Sequence, residues 1–384
     1  MARILFVTNG HGEIAIADRI ARDVRSLAPE IEIDHLPLVG ESRAYFMNEV
    51  GPRQAMPSGG LIAMGNLSNI LRDLRGGLLA LTLAQRKFLV RVRGRYALAV
   101  AIGDAFALLM TLATRVPAVY VGTAKSVRVA PYGAFERRVL RRADVVFVRD
   151  EPTAERLRAQ GVDARAPGNV IVDLFGERDD PRADAVTEGF DPLLAVFPGS
   201  RQSAYRDAQF LLDVVRRVAA DRPGLGAVLS IAPLLDAARF ARHLAQDGWE
   251  VEDSADVRMP FVLRDRGRAL ARAWRGEIGP LLARAALVIG QAGTANEAAA
   301  AAGVPVIAFE RDRDRKTAWY RMRQHGLLGD ALLVLPGDPV RAAAGVAALL
   351  DDAPRRARMG ALGRERMGPA GGAQAIARTI VELT

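Results

Sequence analysis

Three short turns in this chain set glycine beside groups able to handle charge or protons. The first is Asn9-Gly10-His11-Gly12-Glu13, between an apolar run and a helical pattern. Its glycines let the backbone bend close to a ligand, and an exposed helix start favours an anion or a sugar oxygen. His11 adds a titratable ring, the usual general acid or base near neutral pH. The second is Pro198-Gly199-Ser200-Arg201, again ahead of a helix. Ser200 is able to cap, and Arg201 is a natural phosphate partner. The third runs from Gly290 through Gln291 and Gly293 to Thr294, with Glu297 about one helical turn further on. Backbone N–H groups and one hydroxyl at a helix start can hold a diphosphate without a metal, and Glu297 is placed to accept from two ribose hydroxyls. The residues do not spell the dinucleotide-binding G-x-G-x-x-G pattern. Each turn also has a plainer role as a capped strand-to-helix connection, and Glu297 then only complements the helix dipole.

A fourth candidate is Asp104 in "LAVAIGDAFALL", directly after an apolar run and ahead of an apolar helix. It reads as an N-cap, as a general base, or as both. Two other patterns carry less. Asp312-Arg313-Asp314 lies in the charged run "ERDRDRK", which suits a solvated loop better than a metal site. His11, His35, His243 and His325 show no metal-ligating spacing, so no metal or other cofactor is expected.

Apolar runs alternating with helix-period stretches are what must position these turns. Strands are expected at 3–8, 31–37, 98–102, 118–121, 145–149, 193–197, 227–231, 286–290 and 305–309. Helices are expected between them, for example at 13–27, 152–160, 205–220 and 237–247. Alternation of this kind argues for parallel sheets with crossover helices, in which ligands bind beyond the carboxyl ends of the strands. The polar stretch 175–192, with two prolines, is the best interdomain linker. It separates a first domain, 1–174, from a second, 193–350, and a helical tail, 351–384, is expected to pack back on the first domain.

The chain of 384 residues suits two domains rather than one core. It has no cysteine, which excludes a disulfide framework and Cys-ligated zinc. We expect no signal peptide and a cytoplasmic protein, at most at the inner face of the cytoplasmic membrane. The net charge of +9 is almost all arginine, Lys87, Lys125 and Lys316 being the only lysines. Basic and aromatic residues do not interleave as base-stacking surfaces require, so nucleic acid is not an expected partner. Residues 61–95 place Leu78, Leu79, Leu81, Leu83, Phe88 and Leu89 around Arg86, Lys87, Arg91 and Arg93. That mixture suits either core packing or a surface helix resting on an anionic membrane.

In order and spacing, "TNGHGEIAIADRI", "AVAIGDAFALL", "VGTAKS", "PGNVIVDLF", "FPGSRQSAYRD" and "VIGQAGTANEAAAAAGVPVIA" resemble the lipid-A-disaccharide synthase-related proteins. These are a sister group of lipid-A-disaccharide synthase among the two-domain GT-B glycosyltransferases. The resemblance covers nearly the whole chain. It implies an α/β GT-B fold, two Rossmann-like doubly wound domains facing across a cleft. It implies inverting transfer from a nucleoside-diphosphate sugar, UDP-GlcNAc-like, to a hydroxyl of a lipid or glycolipid. Gly199, Ser200, Arg201, Gln291, Gly293, Thr294 and Glu297 would hold the nucleotide sugar. Gly10, Gly12 and Glu13 would form the acceptor-side turn, with Asp104 or His11 as base. The chain departs from the pattern after Gly12, where Glu13 stands without a second acid, and after Phe309, where "ERDRDRKTAWYRM" replaces a glycine/proline-glutamine loop; Gln324 offers an amide further on. Two rivals remain: a UDP-sugar 2-epimerase of similar fold, and a non-catalytic membrane-associated nucleotide-binding homologue.

Overall fold

The computed structural model describes residues 2–39, 44–54, 77–175, 180–311 and 315–384. It divides into two compact units, Met1–Leu174 with Pro369–Thr384, and Phe175–Gly368.

The first unit runs β1 (Arg3–Thr8), α1 (His11–Leu27), β2 (Glu32–Pro37), β3 (Asn48–Glu49), α2 (Leu78–Arg91), β4 (Leu98–Gly103), α3 (Ala105–Thr111), β5 (Ala118–Gly122), α4 (Ala134–Leu140), β6 (Val145–Phe147), α5 (Glu151–Arg158) and β7 (Ala164–Arg165). Its strands form one parallel sheet in the order β3-β2-β1-β4-β5-β6-β7. Every residue of β4 is buried. Helices cover both faces of such a sheet, so its strands read as continuous apolar runs rather than alternating ones. The chain moves outward from β1 to β2 and β3, then returns to place β4 on the other side of β1. That reversal is the topological switch point of the sheet.

The second unit runs α6 (Pro181–Thr187), β8 (Leu193–Phe197), α7 (Ala204–Ala219), β9 (Gly226–Ser230), α8 (Ala237–Gln246), β10 (Glu250–Asp253), β11 (Phe261–Asp265), β12 (Arg268–Trp274), α9 (Gly279–Arg284), β13 (Leu287–Gly290), α10 (Thr294–Ala302), β14 (Val306–Glu310), α11 (Arg315–Leu328), β15 (Leu332–Pro336), α12 (Pro339–Asp351) and α13 (Ala353–Met367). Its sheet has the order β10-β11-β12-β9-β8-β13-β14-β15, and its switch point lies between β8 and β13. Residues 180–192 of the expected linker include α6, capped by the Asp180 carboxylate accepting from the Arg182 N–H.

One edge of this sheet corrects the expectation of parallel strands throughout. β10, β11 and β12 pair antiparallel. The β11–β12 hairpin turns on Arg266 and Gly267, at φ of +52° and +76°. Two positive-φ residues give the tight turn whose twist suits neighbouring antiparallel strands. β3, β7 and β15 were also not expected.

Residues 351–384 divide between the units. In the second unit, α13 lies close against α10, because a side chain at Gly363 would come within 2.5 Å of the Ala300 carbonyl. In the first, α14 (Gly372–Glu382) packs on α1, and the Asp173 carboxylate accepts from the Gly371 and Ala373 N–H groups at 2.7 and 2.8 Å.

Candidate functional site

The switch point of the first unit collects Gly10, Gly12, Glu13 and Asp104. β1 ends at Thr8, Gly10 is the N-cap of α1 without a side-chain cap, and His11 opens the helix; the placement of its ring lies outside the described structure. β4 ends next door, and Asp104 caps α3, its Oδ1 accepting from the Phe106 and Ala107 N–H groups at 2.9 and 3.1 Å. The capping and catalytic readings of Asp104 are therefore compatible, since the second carboxylate oxygen is not used by the cap.

Glu13 leans across this junction. A side chain at Gly103, whose φ is +130°, would meet Asn9 Cβ and Glu13 Cγ, each at 3.3 Å, so glycine is what lets the carboxyl side chain lie there. Burial pushes the Glu13 carboxyl above its ordinary range, opposed by its own backbone N–H and reinforced by the charge of Asp104. The hydroxyl of Thr123, just past β5, faces it, but the contact falls short of a well-formed hydrogen bond and leaves that hydroxyl buried without a partner. The ends of three adjacent strands, β1, β4 and β5, thus bring the Glu13 and Asp104 carboxyl groups close together.

In the second unit, β8 and β13 are hydrogen-bonded neighbours with Phe197 opposite Gly290. Both end in glycine turns that lead into helices. Gly199 has φ +110°, and a side chain there would lie 3.9 Å from Ala292 Cα, so the two turns are adjacent. Ser200 and Arg201 are exposed. Gly293 is the N-cap of α10 and carries no side-chain cap, unlike the Asp-capped α8 and α12. The N–H groups of Gly293, Thr294 and Ala295 donate to no described group, whereas those of Asn296 and Glu297 return to the Gly293 carbonyl. Open N–H groups with the positive end of a helix dipole favour a bound anion. Glu297 lies in the first turn and is half-buried.

A buried polar cluster supports this turn from behind, and the sequence reading identified only its edges. The Gln324 amide donates to the carbonyls of Ala292 and Gly293 at 3.1 and 3.2 Å. The Gln291 amide donates to the Phe309 carbonyl at 3.0 Å. Asn296, fully buried, donates to the Gly290 carbonyl at 3.2 Å. Arg321 Nη1 donates to Gln324 Oε1 at 2.8 Å, and Nη2 bonds the Gln291 side chain. Arg321 and Asn296 had no signal of their own, because Arg321 sits in an arginine-rich run and Asn296 in an alanine-rich helix. Asp312-Arg313-Asp314 lies outside the described residues.

Of the stretch 61–95, residues up to 76 also lie outside the described residues. In α2, Leu78, Leu81 and Leu89 are buried, while Leu79 and Leu83 are exposed. Among the described residues no helix is long and apolar enough to cross a membrane. Among them too, no group of three or more His, Asp and Glu side chains is placed to hold a metal ion.

No family model matches the chain, and no curated protein matches it by sequence. Solved structures do match it over its whole length. The calicheamicin glycosyltransferase CalG4 has a TM-score of 0.64 at 15% identity, covering 100% of this chain and 98% of that one. S. aureus MnaA solved with UDP has a TM-score of 0.61 at 13% identity, covering 100% and 98%. A putative UDP-N-acetylglucosamine 2-epimerase from Listeria monocytogenes has a TM-score of 0.60 at 14% identity, covering 100% and 97%. At such identities the likeness is one of fold, and the fold is GT-B, built from two Rossmann-like α/β units.

Proposed function

We propose that this protein binds a UDP-sugar in its second unit and transfers the sugar, with inversion, to a hydroxyl of an acceptor. The observation that carries this reading is the pair of adjacent glycine turns at the β8/β13 switch point, with three N–H groups open at the start of α10. Ligands of doubly wound sheets bind at such a point. Gly199, Ser200 and Arg201 line one side, Gln291, Gly293 and Thr294 hold the diphosphate, and Glu297 accepts from the ribose. Likeness to UDP-sugar enzymes of the same fold supports the nucleotide.

In the transfer, the acceptor O–H gives its proton to the free carboxylate oxygen of Asp104, or to His11. The oxygen forms a bond to the anomeric carbon, and the bond from that carbon to the diphosphate oxygen breaks. The electron pair leaves on UDP, where the open N–H groups and Arg201 meet the new charge; each such donor contributes about 3 kcal/mol in comparable sites. The resemblance in sequence favours a lipid or glycolipid acceptor, with contact at an anionic membrane face through residues 61–95.

A second reading has comparable support. Glu13, whose carboxyl burial pushes upward, stands beside the capping Asp104, so two carboxyl groups are offered to a single sugar. The structural neighbours include UDP-GlcNAc 2-epimerases. Incubation with UDP-GlcNAc alone in deuterated water, followed by NMR, separates the two. The transferase leaves the sugar unchanged until an acceptor is added. Deuterium entering at C2 with inversion there would sink the transferase reading in favour of the epimerase.

A further inference from the structure

The charge beneath the glycine turn of the second unit remains without a role in that reading. Arg321, on α11, is 7% exposed. Among the described residues its guanidinium bonds only neutral groups: Gln324 Oε1 at 2.8 Å, the Gln291 carbonyl at 3.4 Å and the Gln291 side-chain oxygen. Its Nε is buried with no hydrogen-bond partner. The carboxylate whose charge it feels is Asp207, and that group is ion-paired with Arg311. Burial lowers the guanidinium to about 10, so it stays charged at neutral pH.

A cation taken out of water and surrounded by neutral oxygens is unfavourable unless a counter-charge reaches it. The groups that hold Arg321 are the same ones that shape the turn. Gln291 is part of it, and Gln324 donates to the carbonyls of Ala292 and Gly293. On the other side of those peptide groups, the N–H groups of Gly293 and Thr294, and next to them that of Ala295, donate to no group among the described residues. The fully buried Asn296, in the first turn of α10, has its Oδ1 without a partner. Donors in front and a fixed cation behind describe a site matched to a multiply charged anion, not only to a nucleoside.

We infer that Arg321 is the buried counter-charge of the diphosphate, a positioning residue that acts through Gln291 and its field and makes the site select ligands by phosphate charge. The inference rests on the nucleotide reading given above. A purely structural Arg321 would only hold the turn in shape, and its loss would weaken every ligand alike. A charge-selecting Arg321 weakens ligands in proportion to their negative charge.

Calorimetry of wild type, R321K and R321Q with uridine, UMP, UDP and inorganic pyrophosphate tests this. Glutamine retains polar contacts in the cluster without the charge. In R321Q, UDP and pyrophosphate should bind about tenfold more weakly or worse, the cost of losing a buried counter-charge, while uridine is unchanged and the preference for UDP over UMP shrinks. R321K should keep most of that preference. An unchanged ratio of UDP to UMP affinity in R321Q overturns the inference, as does an equal loss for all four ligands. Should R321Q fail to fold, R321K decides: loss of the UDP preference with the charge retained contradicts it. Wild type that binds pyrophosphate but not UDP leaves the inference standing and removes the uridine. Wild type that binds UDP, with R321Q unaltered, does the reverse.

Discussion

Asp104 and Glu13 are the residues on which the proposed chemistry turns, and the structure gives them different surroundings. Asp104 is anchored through one carboxylate oxygen by two backbone N–H groups. Glu13 is pushed upward by burial and by the charge of Asp104. If Asp104 takes the acceptor proton, Asp104→Asn should lower turnover by about a hundredfold with donor affinity unchanged. Asparagine keeps the capping oxygen, so α3 should remain intact by circular dichroism. Glu13→Gln keeps the size of the side chain without the titrating group, which transfer does not use, and should leave transfer within about threefold of wild type. Comparable losses in both variants, with donor affinity retained, would show that Glu13 also moves a proton and would favour the epimerase reading. Glycine spacing makes these residues visible in the sequence, since a glycine-bounded acid after an apolar run is a local feature. The sign of the Glu13 shift is not local: it depends first on burial and then on the charge of Asp104, which arrives from another strand.

At the level of elements, the central parallel strands were legible because burial on both faces leaves runs such as "LAVAIG" almost free of polar residues. The edge strands were not. β10 holds three acids around a single valine, and β3 and β7 are two residues long, too short to carry a period. The hairpin at Arg266-Gly267 did have a turn signal in "RDRGR", masked by the surrounding arginines. His35 shows what pairing of central strands imposes. It lies fully buried on β2, with Nε2 at 2.9 Å from the Thr8 hydroxyl of β1 and Nδ1 without a partner. Burial, with the charge of Arg53, lowers the ring to about 4. The unfolded chain then binds a proton that the folded one refuses, so stability rises with pH through this interval and falls as pH drops from 6.5 towards 4. The loss amounts to about 3 kcal/mol. Urea titrations at several pH values should show this slope in wild type and a flatter one in His35→Gln. Equal slopes would mean that the imidazole is not the group responsible.

For the whole molecule, both units follow one logic: candidate groups gather where the order of strands reverses. In the first unit the reversal brings Gly10, Gly12, Glu13 and Asp104 together. In the second it does so for Gly199, Ser200, Arg201, Gly293, Thr294 and Glu297. That clustering was readable in outline, because each turn follows an apolar run and precedes a helix. What escaped was the support behind the turn, Arg321 and Asn296, since a buried cation in an arginine-rich chain looks like any other. The many arginines are themselves not diagnostic, since a number of them are held in ion pairs such as Arg3–Glu32 and Arg284–Asp184. Exposed pairs of this kind contribute little individually. The central claim, that the second unit holds a nucleoside diphosphate by backbone donors and without a divalent ion, is tested most directly by calorimetric titration with UDP, UDP-GlcNAc, GDP and ADP in the presence of a chelator. The account predicts UDP species bound at about micromolar strength, an affinity of about 8 kcal/mol, and GDP and ADP much more weakly. Absence of binding by every nucleotide, or binding that appears only when a divalent cation is restored, would contradict it.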